Sequence, residues 1–228
     1  RIARQERALA ERRFEDVRKL ANAFVFEFDE AVRDTPGTTA ARKLVIQRSL
    51  TYLEDLARDT RDNVTLEREL AAAYERIGDV QGNPYVPNLG ERDAAMTSYQ
   101  RARELRDRVA ARPEATDADR VALGEAIASV ADLEWAQGHF EKALAEQRRS
   151  TALATALLQR APEDPSRRLA VSVSNYREGQ SLTKLGRFLE AHSRYDEGIR
   201  LLQLSERSRP EERRFAAVSL LKVADCRL

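Results

Sequence analysis

The stretch Gly138-His139-Phe140-Glu141-Lys142-Ala143-Leu144-Ala145-Glu146-Gln147-Arg148-Arg149-Ser150 decides how the chain reads, because it recurs. A close relative stands at Gly186-Arg187-Phe188-Leu189-Glu190-Ala191-His192-Ser193-Arg194-Tyr195-Asp196-Glu197-Gly198, and a looser one begins at Gly90 and ends at Ala102. Gly90, Gly138 and Gly186 are evenly spaced on a period of 48, as are Ala95, Ala143 and Ala191, and Leu105, Leu153 and Leu201. The pairs Pro113-Glu114, Pro162-Glu163 and Pro210-Glu211 follow at 49 and 48. Independent markers on one period indicate an internal repeat. Glycine supplies the left-handed residue that stops a helix. Alanine lets two helices approach closely, and proline stops one helix and opens the next. The unit is helix, Gly turn, helix, Pro break, and the expected fold is all-α, built of antiparallel helix hairpins.

Working outward, residues 1–33 read as one helix with Phe14, Val17, Ala21, Phe24, Phe28 and Val32 on an apolar stripe. Asp34-Thr35-Pro36-Gly37 is a turn. Thr38 or Thr39 caps a helix over about 40–59, with Leu44, Val45, Leu53 and Leu56 inward, and Asn63 caps the next, over about 64–81. Further helices are expected near 91–112, 117–137, 139–160, 165–185, 188–208 and 211–227, with Asp164-Pro165 a cap and first-turn signal. Aligning Arg68 with Arg120 gives an offset of 52, which makes the loop from Gly82 to Gly90 an insertion of four. That loop holds Asn83, Pro84, Tyr85 and Asn88. It reads either as a contact site or, with Pro84, Tyr85 and Pro87, as a cover for the end of the first hairpin.

Composition narrows the function. The 228 residues carry 39 Lys+Arg and 38 Asp+Glu, a net charge of +1, which argues against nucleic acid as the main partner. No apolar run approaches the roughly 18–20 residues of a membrane span. The two histidines, His139 and His192, lack further ligands at metal spacing, and Cys226 lacks a local histidine. Gly78-Asp79-Val80-Gln81-Gly82 is not followed by the Lys-Ser or Lys-Thr of a phosphate loop. No catalytic set, metal or cofactor is expected in these residues.

The small residues at five and twelve positions after each glycine, with Phe140, Phe188 and Tyr195, resemble the second half of a tetratricopeptide repeat. Tyr74-Glu75-Arg76-Ile77-Gly78-Asp79 resembles the end of such a repeat's first helix. The usual period is about 34 residues, so helices longer by about two turns each are expected. Armadillo or HEAT repeats are the structural alternative. The resemblance implies a right-handed superhelical solenoid, with repeats at about 63–113, 114–162 and 163–210, a further one beginning at 211–228, and residues 1–62 packing on the array. It also implies a concave face lined by first helices, carrying Asp132, Trp135, Tyr176, Gln180 and Thr183 as partner-binding residues. Trp135, the only Trp, reads equally as core between hairpins. Asp132 and Trp135 depart from the basic clamp that holds peptide carboxylates in this family.

Arg12-Arg13-Phe14-Glu15-Asp16-Val17-Arg18-Lys19-Leu20-Ala21-Asn22 is similar to the segment after the membrane span in tetratricopeptide-bearing bacterial Ser/Thr kinases of the eukaryotic-like type. So are Phe26-Glu27-Phe28-Asp29-Glu30-Ala31, Arg33-Asp34-Thr35-Pro36-Gly37 and Gly78-Asp79-Val80-Gln81-Gly82-Asn83-Pro84-Tyr85. The resemblance implies a module that binds a protein or peptide and regulates a single-pass membrane kinase. ATP and Mg would then belong to the parent's kinase domain, of which no motif is present here. It implies an extracytoplasmic position, and dimerisation as one route of control. Residues 1–19 hold seven Lys/Arg and four Asp/Glu, a bias that favours the cytoplasmic side instead. The chain starts and stops inside helical patterns, as a piece of a longer protein does. A soluble scaffold without an attached enzyme is the alternative, and a hydrolytic or transferase domain within these residues is a third reading.

Overall fold

A computed structural model describes residues 27, 30–32, 35, 37–58, 63–202 and 210–225. The stripe residues Phe14, Val17, Ala21, Phe24 and Phe28, the Arg-rich start, Pro36, Cys226 and the side chain of Leu56 lie outside what is so described. The protein is all-α: among the described residues there is no strand, and eight long helices follow one another. They are α1 (Thr39–Arg58), α2 (Val64–Gly82), α3 (Arg92–Ala110), α4 (Asp117–Ala136), α5 (Phe140–Arg160), α6 (Pro165–Lys184), α7 (Phe188–Leu202) and α8 (Pro210–Asp225). Two compact units divide the chain, Arg1–Ser98 and Tyr99–Leu228.

Local chemistry sets where the helices begin. Asn63 accepts from the Leu66 amide and caps α2. Thr116 accepts from the Asp119 amide while the Asp119 carboxylate accepts from the Thr116 amide, a reciprocal capping box for α4. Asp164 accepts from the amides of Ser166 and Arg167, with Pro165 in the first turn of α6. The Thr38 hydroxyl instead donates back to the carbonyls of Val32 and Thr35.

Two expectations change. Leu44 is 55% exposed, and the inward row of α1 runs through Arg42, Ile46 and Leu53. A residue two steps from Ile46 lies about 200° round the helix, so Leu44 cannot share its face. Pro113 and Pro162 stand in turns rather than opening helices. The Ala115 amide bonds the Arg112 carbonyl and the Asp164 amide bonds the Ala161 carbonyl, both at 3.1 Å. Each proline is therefore the second residue of a closed four-residue turn, where its fixed φ suits it.

In the second unit α4 packs on α5, α5 on α6, α6 on α7 and α7 on α8. The two hairpins α4–α5 and α6–α7 stop their first helices identically. The Gly138 amide reaches the Trp135 carbonyl and the His139 amide that of Glu134; the Gly186 amide reaches Thr183 and the Arg187 amide Leu182. Both glycines have positive φ, 83° and 73°, the left-handed residue this double bond requires. Ala143 and Ala191, five residues on, are fully buried.

Where the helices of each hairpin cross, a serine hydroxyl donates to a glycine carbonyl on the opposite helix. Ser150 of α5 bonds Gly124 of α4 at 3.0 Å, and Ser172 of α6 bonds Gly198 of α7 at 2.7 Å. Gly124 and Ser172 are one repeat period apart, and so are Ser150 and Gly198. The pair is kept and its members are exchanged. Leu144, Leu182, Ala191 and Tyr195 form a core on which Tyr176 and Leu185 pack. At the start of α4, Asp117 gathers Arg160 from α5 and Arg167 from α6, the latter at 3.0 Å.

Candidate functional site

The loop between α2 and α3 is the most distinctive local structure of the first unit. The capping residues Asn63, Thr116 and Asp164 set the register of three helix starts. The step from Thr116 to Asp164 is one repeat period, and the step from Asn63 to Thr116 is longer than that by five. The insertion is therefore five residues, not the four given by aligning Arg68 with Arg120. In the cap register Leu70 and Ile77 fall on Leu123 and Val130, and all four are buried. The residue after the glycine agrees: the Glu91 amide bonds the Gln81 carbonyl as the His139 amide bonds that of Glu134.

Two asparagines hold the inserted segment. Asn83 donates from Nδ2 to Asp79 Oδ1 at 2.7 Å and accepts from the Tyr85 amide at 2.9 Å. Asn88 donates to the carbonyls of Asn83 and Val86, at 2.8 and 3.0 Å, and accepts from the Gly90 amide at 2.7 Å. The Leu89 amide returns to the Val80 carbonyl at 2.9 Å. Gly82 is needed beneath, since a Cβ there would stand 3.0 Å from the Ala95 Cβ and 3.1 Å from the Arg92 Cα. The Ser98 hydroxyl donates to Gln81 Oε1 at 2.7 Å, and Lys43 pairs with Glu91 at 2.7 Å.

Pro84, Tyr85, Val86 and Pro87 are exposed, Tyr85 at 62% and Val86 at 40%. Such exposure is compatible both with a contact site and with Pro84, Tyr85 and Pro87 covering the end of the first hairpin. The four form a tip of two prolines, an aromatic and a valine on a loop pinned by its own side chains. Sequence reasoning picked out Tyr85 and passed over Val86, which nothing in the local pattern marks.

The residues singled out on first helices have varied surroundings. Asp132 is buried and pairs with Arg177 of α6 at 3.0 Å, which ties α4 to α6. Trp135 is half-buried, lies edge-on to Phe140 with centroids 5.9 Å apart, and keeps its Nε1 out of solvent without a hydrogen-bond partner. Tyr176 sits between Tyr195 of α7 and Phe215 of α8, at 5.6 and 5.3 Å, and accepts from Gln180 Nε2 at 3.3 Å. Thr183 donates to the Gly179 carbonyl and lies 3.3 Å from the Tyr195 hydroxyl. Asp132, Tyr176 and Thr183 are thus occupied by packing within the second unit. The structure groups Tyr176, Gln180 and Thr183 around one aromatic cluster.

Among the described residues, no three His, Cys, Asp or Glu side chains gather as a metal site. His139 Nδ1 lies 2.7 Å from Glu134 Oε2, a local pair at the hairpin turn. No described helix is long and apolar enough to cross a membrane. Compared with known proteins, the chain matches no family model and no curated protein.

Proposed function

We propose that the hairpins continue one another as a right-handed, tetratricopeptide-like superhelix, and that the chain is a protein- or peptide-binding regulatory module. On this reading it follows the membrane span of a bacterial Ser/Thr protein kinase. Residues 1–62 are its juxtamembrane-like part and residues 63–228 the array. ATP and Mg act in the kinase domain, and this region contributes recognition alone.

The observation that carries the reading is the correspondence of α4–α5 with α6–α7: one glycine stop, one buried alanine and one capped start, all at the same offset along the chain. Repeats that cannot bury their faces alone stack on one another, and proteins use the resulting surfaces for binding. The exposure of Tyr85 and Val86 on a self-bonded loop supports partner contact there, because a preorganised aromatic loses little entropy on binding. Of the expected concave-face residues, Trp135, Tyr176, Gln180 and Thr183 remain partly exposed, and Asp132 is buried in an ion pair.

The test is the reading frame ahead of Arg1. A kinase catalytic loop followed by one apolar span of about 20 residues is expected. A frame with neither overturns the reading in favour of a stand-alone scaffold.

A further inference from the structure

The last described helix, α8, carries an uncovered apolar face. Val218, Leu220 and Leu221 are 38%, 54% and 67% exposed, whereas Ala216 and Ser219 are buried. On a helix of about 3.6 residues per turn Leu221 lies opposite that buried row, with Leu220 and Val218 flanking it. The helix is anchored to the preceding hairpin by Phe215, whose ring meets Tyr176 of α6.

Leu220 departs from the repeat in a way that limits what can cover this face. It stands one period after Ser172, as the buried Ser219 stands one period after the buried Val171. Ser172 is fully buried against α7, with its hydroxyl 2.7 Å from the Gly198 carbonyl oxygen. A Cβ on Gly198 would already come within 3.1 Å of the Ser172 carbonyl oxygen. Both hairpin crossings are built from one serine and one glycine. A leucine has no room at so close a crossing, so no helix can lie on α8 as α7 lies on α6. The face suits a helix whose own large apolar side chains interdigitate with it, at the usual interaxial distance of about 8–10 Å.

We propose that α8 pairs with α8 of a second copy of this chain, antiparallel about a two-fold axis beside Ser219 and Leu220. The axis sets Val218 of each copy opposite Leu221 of the other, so the patch covers its own equivalent. It also brings the exposed Arg214 of each copy to the end of the other's α8, at Asp225. A helix C-terminus is negative, and a cation there is favourable. The apolar and the charged parts of the match are thus both supplied by α8 itself, which selects a second copy as the occupant. The pair is 16 residues long, about 24 Å at 1.5 Å per residue. That places it among the small interfaces, under about 1,200 Å², and makes the dimer weak and reversible.

Sedimentation equilibrium of the full 228-residue chain tests the pairing. A monomer–dimer equilibrium is expected, with a Kd of about 10–100 μM. Leu221→Glu puts a charge in the middle of the pair and should weaken it about tenfold or more. Circular dichroism checks that this variant keeps its helices, and Leu221→Gln takes its place if it does not. Leu189→Glu, at an exposed leucine on α7, should leave the dimer as it is. A chain that stays monomeric across this range overturns the pairing. So does a dimer that is indifferent to the Leu221 substitutions, or one that Leu189→Glu weakens as much.

Discussion

In hairpin α4–α5 the glycine of the crossing lies on the first helix and the serine on the second; in α6–α7 the assignment is reversed. A carbonyl accepts a hydroxyl from either direction, so the packing needs one small residue on each side and one hydroxyl between them. It does not need a particular helix to supply it. The hairpins also differ one turn away. Where α6–α7 places Tyr195 over Gly179, α4–α5 has Gln147 and Ala131. A large ring is admitted only where the facing residue has no Cβ. Paired positions, rather than single residues, carry the repeat.

The harshest way to break this comparison is Gly179→Ala. Its Cβ would clash with Tyr195 ring atoms, and that ring is 1% exposed within a packed cluster. Overpacking of this kind costs about 1–3 kcal/mol, and the upper part of that range is expected here. Adding Tyr195→Gln copies the other hairpin's pair and should recover part of the loss; urea melts of the single and double variants measure both. Recovery absent from the double variant would mean that the two positions are not coupled.

A smaller effect separates the two crossings. A Cβ at Gly124 would touch only the Ser150 hydroxyl, at 3.9 Å, whereas one at Gly198 would meet the Ser172 carbonyl oxygen at 3.1 Å and its hydroxyl at 3.3 Å. Gly124→Ala should therefore stabilise by about 0.5–1 kcal/mol through helix propensity and a less free unfolded chain. Gly198→Ala should lose that gain or reverse it. Thermal melts of the two variants side by side decide the matter, and equal shifts would mean the crossings are equally tight.

The smallest effect is electrostatic and centres on Glu190 in the first turn of α7. Arg187 grips Glu190 with two bonds of 2.7 Å. The hydrogen bonds from Arg187 hold the Glu190 carboxyl below its ordinary value, with the neighbouring cations adding to this. A depressed carboxylate contributes stability above its unfolded pKa, and that contribution is lost as pH falls through the folded value. Glu190→Gln should thus differ slightly from the parent at pH 7 and match it in acid. Because the pair is exposed, salt should shrink the difference further. A gap that widens on acidification would contradict the assignment.

The helices were legible because their punctuation is local. Asn63, Thr116 and Asp164 announce starts, and Gly138 and Gly186 announce stops, each through bonds to residues within five positions. The face of α1 was legible only in part: Leu44 and Ile46 are both apolar, and sequence alone does not choose between neighbouring rows. The insertion length was missed by one because Arg68 and Arg120 invite alignment, whereas the cap residues set the register. At the candidate site, composition pointed to the exposed Tyr85. The inward commitment of Tyr176 was not legible, since it depends on Tyr195 and Phe215, which arrive from the two later helices α7 and α8.

One deletion tests the equivalence of the hairpins most directly. Removing Asp117–Asp164 takes out one whole repeat period and joins the cap Thr116 to Pro165, so a capped start meets a helix that already expects one. Far-UV circular dichroism and a urea melt of this shortened chain should show undiminished helicity per residue and a single cooperative transition at lower denaturant. A deletion of half that length, which takes out α4 and its turn alone, puts the remaining helices out of register and should abolish both. If the whole-repeat deletion unfolds as completely as the half-repeat one, the hairpins are not interchangeable units.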